Sequence, residues 1–229
     1  MSPRGGLLLV ATDRARWIVV TVTRSGGRAG GGGRQWSRTA ETRRVFLNAA
    51  KEVFTTRGFA GASVAEVVER ANSSVGSLYH HFGGKSELFL ALWEDHQQAQ
   101  EERAAAAVAR ARKAGELDPL ALFIHGARAF LERSWANRDL VRLFYDGDGP
   151  PGFELLRRRR NREWVRQNRV LLRAEDSRVN RVIVIVLTTV IGETAREVVS
   201  CDSKEEAHAV IEAMMGFLQR LGPLHLGEE

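Results

Sequence analysis

Between residues 45 and 82 the apolar positions fall into three helical registers separated by polar breaks. Val45, Phe46, Ala49, Ala50, Val53 and Phe54 recur at the spacing of one helix face, and the run stops at Gly58, a residue suited to a helix C-cap. Val64, Val67, Val68 and Ala71 repeat the pattern, opened by Ser63 with Glu66 three positions later, the spacing of a capping box. Asn72, Ser73 and Ser74 interrupt it with side chains that hydrogen-bond their own backbone, and Val75, Leu78 and Phe82 resume it. The pattern predicts a helix ending near Gly58, a helix over 63–71, a turn and a second short helix, with all three helices sharing one core.

The face of the last helix opposite its apolar stripe carries Ser74, Gly76, Ser77, Tyr79, His80 and His81. Small residues permit close approach, and hydroxyl and imidazole groups donate to phosphates or base edges. A short helix with such a face, set behind a tight turn, is a helix-turn-helix with a recognition helix for the DNA major groove.

This stretch resembles the N-terminal DNA-binding domain of the TetR family of transcriptional regulators. The likeness rests on TRRVFLNAAKEVFTTRGF, SVAEVVERA and VGSLYHHFGGKSELF and covers roughly residues 37–96; Ala49, Ala50, Phe54, Gly58, Val67, Gly76, Leu78, Tyr79, Phe82, Lys85, Leu88 and Phe89 match together. Two positions depart from the family pattern: Asn72 stands where Gly is common, and Val75 where Lys or Arg is common. Asn tolerates the left-handed geometry a turn needs. Val75 cannot read bases as a cation would. The resemblance implies an all-α protein with a three-helix DNA-binding domain followed by a helical ligand-binding and dimerisation domain. It also implies a double-stranded DNA operator, a small-molecule effector and a homodimer as partners. Residues 1–36 are expected to form a disordered basic extension, 37–85 the DNA-binding domain and 86–224 the helical remainder. On the recognition surface Gly76 and Ser77 are expected to face bases, and Tyr79, His80 and Lys85 to hold phosphates. Thr42 and Ser63 add contacts from the first two helices, and Ser74 and Val75 complete the expected DNA-binding set.

The remaining pattern is coarse but helical. A helix-favouring run from Ser86 stops at Gly115, and Asp118-Pro119 supplies an N-cap and a first-turn proline for DPLALFIHGARAFLERSWA. A short helix spans about 138–145 and a longer one 153–174. VIVIVLTTVI, residues 182–191, suits a buried strand by its β-branched density and a helix by its continuation to Val199; the resemblance favours the helix. Ser203 and Glu206 form a second capping box before the final helix. In the resembled family the last two long helices pair with their copies, so residues 182–221 are the expected homodimer interface. The middle helices are expected to enclose the effector, with Trp93, Phe123, Phe130, Trp135, Phe144 and Trp164 as candidate lining and His96, His125 and Tyr145 as polar anchors.

Charge changes this picture in one respect. The net charge is +6, but residues 1–36 hold six Arg and one Asp and so supply +5, leaving +1 for residues 37–229. Residues 37–95 carry seven basic and seven acidic side chains, so DNA affinity must come from a few placed cations, among them Arg38, Arg43, Arg44 and Lys85. The extension has apolar runs too short to span a bilayer or to form a leader core, and an isolated Ile18–Val22 strand would lack a partner. A mis-assigned start or a basic arm on the minor groove are the other readings of it. One cysteine, Cys201, excludes an intramolecular disulfide and agrees with a cytoplasmic location.

The remaining motif-like strings carry no catalytic chemistry. Gly84-Lys85-Ser86 lacks the earlier glycine of a phosphate loop, where Tyr79 stands. Asp146-Gly-Asp-Gly opens like a calcium loop but runs into Pro150-Pro151 without a closing glutamate and reads as a surface loop. Glu205 and His208 make a single Glu-x-x-His, where a di-iron bundle needs two. Arg157 to Arg160 read as a solvated or salt-bridged helix face. No catalytic residue, metal or cofactor is expected. The rivals to a DNA-binding regulator are a ligand sensor of the same fold without specific DNA binding and, further off, an all-helical enzyme.

Overall fold

A computed structural model of the chain describes residues 7–12, 16–21, 32–145, 147–222, 224 and 226, with side chains from residue 39 onward. Two units are distinguished, residues 1–42 and 43–229. In the first, strands β1 (Leu7–Thr12) and β2 (Arg16–Thr21) pair antiparallel, with Leu9 opposite Val19 and Val10 opposite Ile18. This corrects the expectation that a strand at Ile18 would lack a partner: two aliphatic runs joined by a three-residue link pair with each other. Residues 1–6, 13–15 and 22–31 of the extension lie outside the described residues.

Helix α1 (Gly32–Gly61) starts before the expected Ser37 and is broken where expected, at Gly58, whose φ of 70° and ψ of 175° leave the helical region. A side chain at that positive φ would be strained, which is why glycine ends the helix. Helix α2 (Val64–Arg70) is opened by the complete capping box: Glu66 N donates to Ser63 Oγ at 3.1 Å, and Ser63 N donates to Glu66 Oε2 at 3.0 Å. Asn72 takes a φ of 45°, the left-handed turn conformation anticipated for it, and Ser74 caps α3 (Val75–Phe82) by accepting from Ser77 N.

Six further helices follow, α4 (Lys85–Lys113), α5 (Pro119–Ala136), α6 (Arg138–Tyr145), α7 (Phe153–Leu171), α8 (Arg178–Ser200) and α9 (Lys204–Arg220). Asp118 caps α5 as its sequence predicts, accepting from Ala121 N at 2.8 Å. The β-branched string at 182–191 is helix, and α8 begins at Arg178 because Ser177 caps it there. Its two buried threonines, Thr188 and Thr194, remain satisfied by donating to the carbonyls of Val184 and Val190 one turn back. At α9 the capping box is altered: Ser203 Oγ accepts from Glu206 N, but the Glu206 carboxylate accepts from Asp202 N instead of Ser203 N.

Two cores organise residues 43–229. The first joins Phe46, Val53 and Phe54 of α1, Val67 of α2 and Leu78 of α3 to Leu88, Phe89 and Trp93 of α4, Leu143 and Phe144 of α6 and Phe153 of α7. The second is built from α5, α8 and α9, with Leu131, Val184, Ala195, Met215 and Leu218 fully buried. The helix-turn-helix therefore has no core of its own: α4, α6 and the start of α7 complete it. Among the described residues no helix is long and apolar enough to cross a membrane.

Candidate nucleic-acid interface

Helix α3 buries one side chain completely, Leu78, and leaves Ser74, Val75, Gly76, Tyr79 and His80 in solvent. Tyr79 is 53% exposed, so it does not pack into the core, and a Cβ at Gly76 would meet nothing within 4 Å. Val75 was expected in the apolar stripe with Leu78 and Phe82; it is instead 49% exposed, because the first turn of an eight-residue helix lies beyond the reach of the core. Its methyl groups stand in solvent, as the Tyr79 ring does, and such groups complement a thymine methyl. Ser63 and Ser74 keep their N-cap geometry, so part of each hydroxyl's bonding capacity is committed to backbone. Thr42 belongs to the first unit and is half-buried.

The cations are arranged differently from expectation. Lys85 Nζ donates to the carbonyls of Phe59 at 2.7 Å, Ala60 at 3.3 Å and Ala62 at 2.8 Å, and lies 4.6 Å from the centre of the Phe59 ring. An ammonium group has three donors, and all three are occupied, so Lys85 is a clamp on the end of α1 and is not a free phosphate ligand. Arg43 behaves alike: its guanidinium donates to His81 O at 2.6 Å and stacks over Phe82 at 4.4 Å. Arg57 and Arg70 face Glu66 and Glu52. Burial, then the charges of His80 and Arg43, hold the His81 imidazole below its usual value, which favours a neutral ring beside the surface. Lys85 and Arg43 serve carbonyls left open at the ends of α1 and α3, a demand that sequence spacing cannot reveal.

The residues expected around an effector divide between different surroundings. Trp93 and Phe144 belong to the first core, where His96 packs against Phe144 with ring centres 5.5 Å apart. Phe123 lies in the second core with Trp135 and Phe130 at its edge, and Phe130 meets Trp164 edge to face at 5.7 Å. Tyr145 sits between the guanidinium groups of Arg157 and Arg196, and burial raises its hydroxyl pKa. His125 is exposed on α5, which removes it as an inward anchor. The polar groups that do lie inside were not singled out from sequence. Gln100 Nε2 donates to Ser134 Oγ at 3.1 Å, linking α4 to α5, and the Ser134 hydroxyl donates in turn to Phe130 O. Among the described residues, the buried Gln100 Oε1 and Arg133 Nε have no hydrogen-bond partner. A polar residue one helical repeat after His96 was the available signal. Arg157, Arg158 and Arg160 pair with Glu154 and Glu101, the salt-bridged face expected of that run.

A model of the family described as bacterial regulatory proteins, tetR family, matches residues 46–92. Over 71 residues the chain is 42% identical to the HTH-type transcriptional activator FasR of Mycolicibacterium smegmatis, a match covering 30% of this chain and 32% of that protein. Over 66 residues it is 36% identical to the HTH-type transcriptional repressor AcnR of Corynebacterium jeikeium, covering 29% and 35%. The chain thus covers about a third of the length of these relatives. Among solved structures, NalD, the secondary repressor of the MexAB-OprM multidrug efflux pump in Pseudomonas aeruginosa, superposes with a TM-score of 0.62 at 16% identity, covering 80% of this chain and 96% of that one. A TetR-like transcriptional regulator from Rhodococcus sp. RHA1 gives 0.58 at 23% identity, covering 78% and 94%. At such identities the likeness is one of fold, and it runs through the helices beyond residue 92. Residues 46–92 thus match the tetR family of bacterial regulatory proteins, and the helices that follow share the fold of solved TetR-like regulators.

Proposed function

We propose that this protein is a homodimeric repressor that binds a near-palindromic operator and releases it when a small molecule occupies the helical domain. The observation that carries the reading is the open face of α3, where Val75, Gly76, Tyr79 and His80 stand in solvent while Leu78 locks the helix to its core. Gly76, Ser77 and Val75 meet base edges; Tyr79 and His80 hold phosphates on either side. With Arg43 and Lys85 committed elsewhere, few phosphates are neutralised by residues 43–85, and the salt dependence of binding is shallow for the family of contacts.

A second face supports the dimer. Val182, Ile185 and Val186 on α8 are 59%, 43% and 52% exposed, and Phe217 and Leu221, on and just beyond α9, are 46% and 41% exposed. Exposed aliphatic and aromatic groups on two neighbouring helices are of the kind a second copy covers. A two-fold axis there sets the two α3 helices about one DNA turn apart, roughly 34 Å, or a multiple of it. The effector is read as a molecule that enters beside α4 and α5, the helices that carry Gln100 and Arg133 with their unpartnered buried polar atoms. Tilting α4 moves α3, because Leu88 and Phe89 of α4 are built into the helix-turn-helix core. A coupling of about 1–3 kcal/mol between the two sites changes operator affinity by roughly 5- to 150-fold.

The test is fluorescence anisotropy of the full-length protein on labelled DNA flanking its own gene, across a salt series. Saturable, sequence-selective binding that Tyr79→Ala weakens about tenfold on every sequence tested supports the reading. Binding no stronger than to random duplex, for that DNA and for duplexes selected from a random library, overturns it in favour of a sensor without an operator. The occupied side chains of Arg43 and Lys85 are what favour that second reading.

A further inference from the structure

We propose that Asp148, in the loop between α6 and α7, is a latch that positions the helix-turn-helix for DNA, so that the helical domain holds the reading head through one carboxylate. The inference rests on the DNA-binding reading above and names how that surface is held. Immediately after the Gly58 break, the amides of Phe59 and Ala60 donate to Asp148 Oδ1 at 3.0 Å and Oδ2 at 2.7 Å. Both carboxylate oxygens therefore grip one peptide segment, across 88 and 89 positions of sequence. The same segment offers its carbonyls to Lys85 on the other side. Residues 59–62 thus bridge two handles: a lysine at the start of α4 and an aspartate in the α6–α7 loop.

The loop is shaped for that grip. A Cβ on Gly147 would fall 2.4 Å from Leu143 O, and one on Gly149 would fall 2.7 Å from Phe153 Cδ1, so the residues flanking Asp148 must lack side chains for the loop to fold back here. A Cβ on Gly58 would itself lie 3.2 Å from Asp148 Oδ1. The Gly-Asp-Gly string that reads as a surface loop in sequence is accordingly a close-fitting one. Behind it the connections are firm: Phe153 meets Phe89 and Trp93 with ring centres at 5.1 and 5.5 Å, and Tyr145, three residues before Asp148, lies 5.1 Å from the guanidinium of Arg196 on α8. A shift of α6 or of the start of α7 moves the carboxylate, and the carboxylate moves the backbone that enters α2. Charge-assisted hydrogen bonds to two adjacent amides fix orientation as well as distance, which a hydrophobic contact does not.

Two measurements on the full-length protein decide it. Hydrogen exchange of the segment 58–62 is followed in wild type, Asp148→Asn and Asp148→Ala; the latch requires the Phe59 and Ala60 amides to exchange at least several-fold faster in both variants, and unchanged exchange overturns it. Operator affinity is then measured with a duplex selected by the wild-type protein from a random library. Removing a negative charge should strengthen binding to DNA by electrostatics alone, whereas loss of positioning weakens it, by about five- to tenfold, with the salt slope unchanged and the thermal midpoint within a few degrees of wild type. Equal or tighter binding by both variants overturns the positioning role, as does weaker binding that tracks a collapse of the thermal midpoint. Failure of the wild type to select any duplex sinks the DNA-binding reading instead and with it the positioning role, while the exchange experiment still judges the grip itself.

Discussion

The two cores of residues 43–229 are filled with different chemistry. Around α1 to α4 the filling is aromatic: Phe89 alone meets Phe54, Phe59, Phe144 and Phe153 at ring-centre distances of 5.1–5.5 Å, near edge to face in every case. Between α5, α8 and α9 it is mostly aliphatic, with Leu131, Val184, Ala195, Ile211, Met215 and Leu218. Interlocked rings have preferred angles and resist sliding, whereas aliphatic and thioether side chains repack with small loss. The contrast separates a part that holds α3 in one orientation from a part whose packing tolerates rearrangement, which is what the proposed dimer and effector response would require.

Phe89→Ala is the most severe way to break the comparison. It removes the ring shared by α1, α4, α6 and α7, and should cost about 4 kcal/mol in urea unfolding, with the DNA-binding surface lost together with the fold. A smaller effect comes from His96, on α4 beside Phe144. Burial, with the positive charges of Arg133 and Lys51, lowers its imidazole pKa from 6.5 to about 4. The unfolded chain therefore takes up the proton first, so stability is full above about pH 6.5 and falls as pH drops toward 4, by about 3 kcal/mol in all. Denaturant titrations at pH 7, 5.5 and 4 should show that slope in wild type, and His96→Gln should flatten it. The smallest change sharpens the local end of the argument: Ser63→Ala deletes one half of the α2 capping box and should lower stability by about 1 kcal/mol, leaving the second core untouched as judged by the near-ultraviolet signal of Trp135 and Trp164.

What could be read in the sequence was what the chain specifies locally. The Ser63–Glu66 box, the left-handed Asn72, the Ser74 cap and the break at Gly58 all act within a few residues, so spacing alone locates them. Lys85 and Asp148 act across 23 to 89 positions, and their partners are main-chain groups that no residue type announces. A phosphate role for Lys85 was a reasonable expectation from its place at the start of α4, and the carbonyls at the end of α1 displaced it. Which aromatic side chains line a pocket was not legible for a related reason: an aromatic side chain looks the same in sequence whether it fills a core or borders a cavity. Trp93 and Phe144 lie in the first core, His125 is exposed, and among the described residues the buried polar side-chain atoms without a partner are on Gln100 and Arg133.

The clamp at Lys85 also bears on covalent chemistry. The chain has four lysines and thirty arginines, and Lys51, Lys113 and Lys204 are exposed. Lys85 alone is enclosed, its nitrogen ringed by three carbonyl oxygens and an aromatic face. An acyl group placed on that nitrogen would take its charge and leave the end of α1 with open carbonyls, so the fold that uses this amine also keeps it out of circulation as a site of modification.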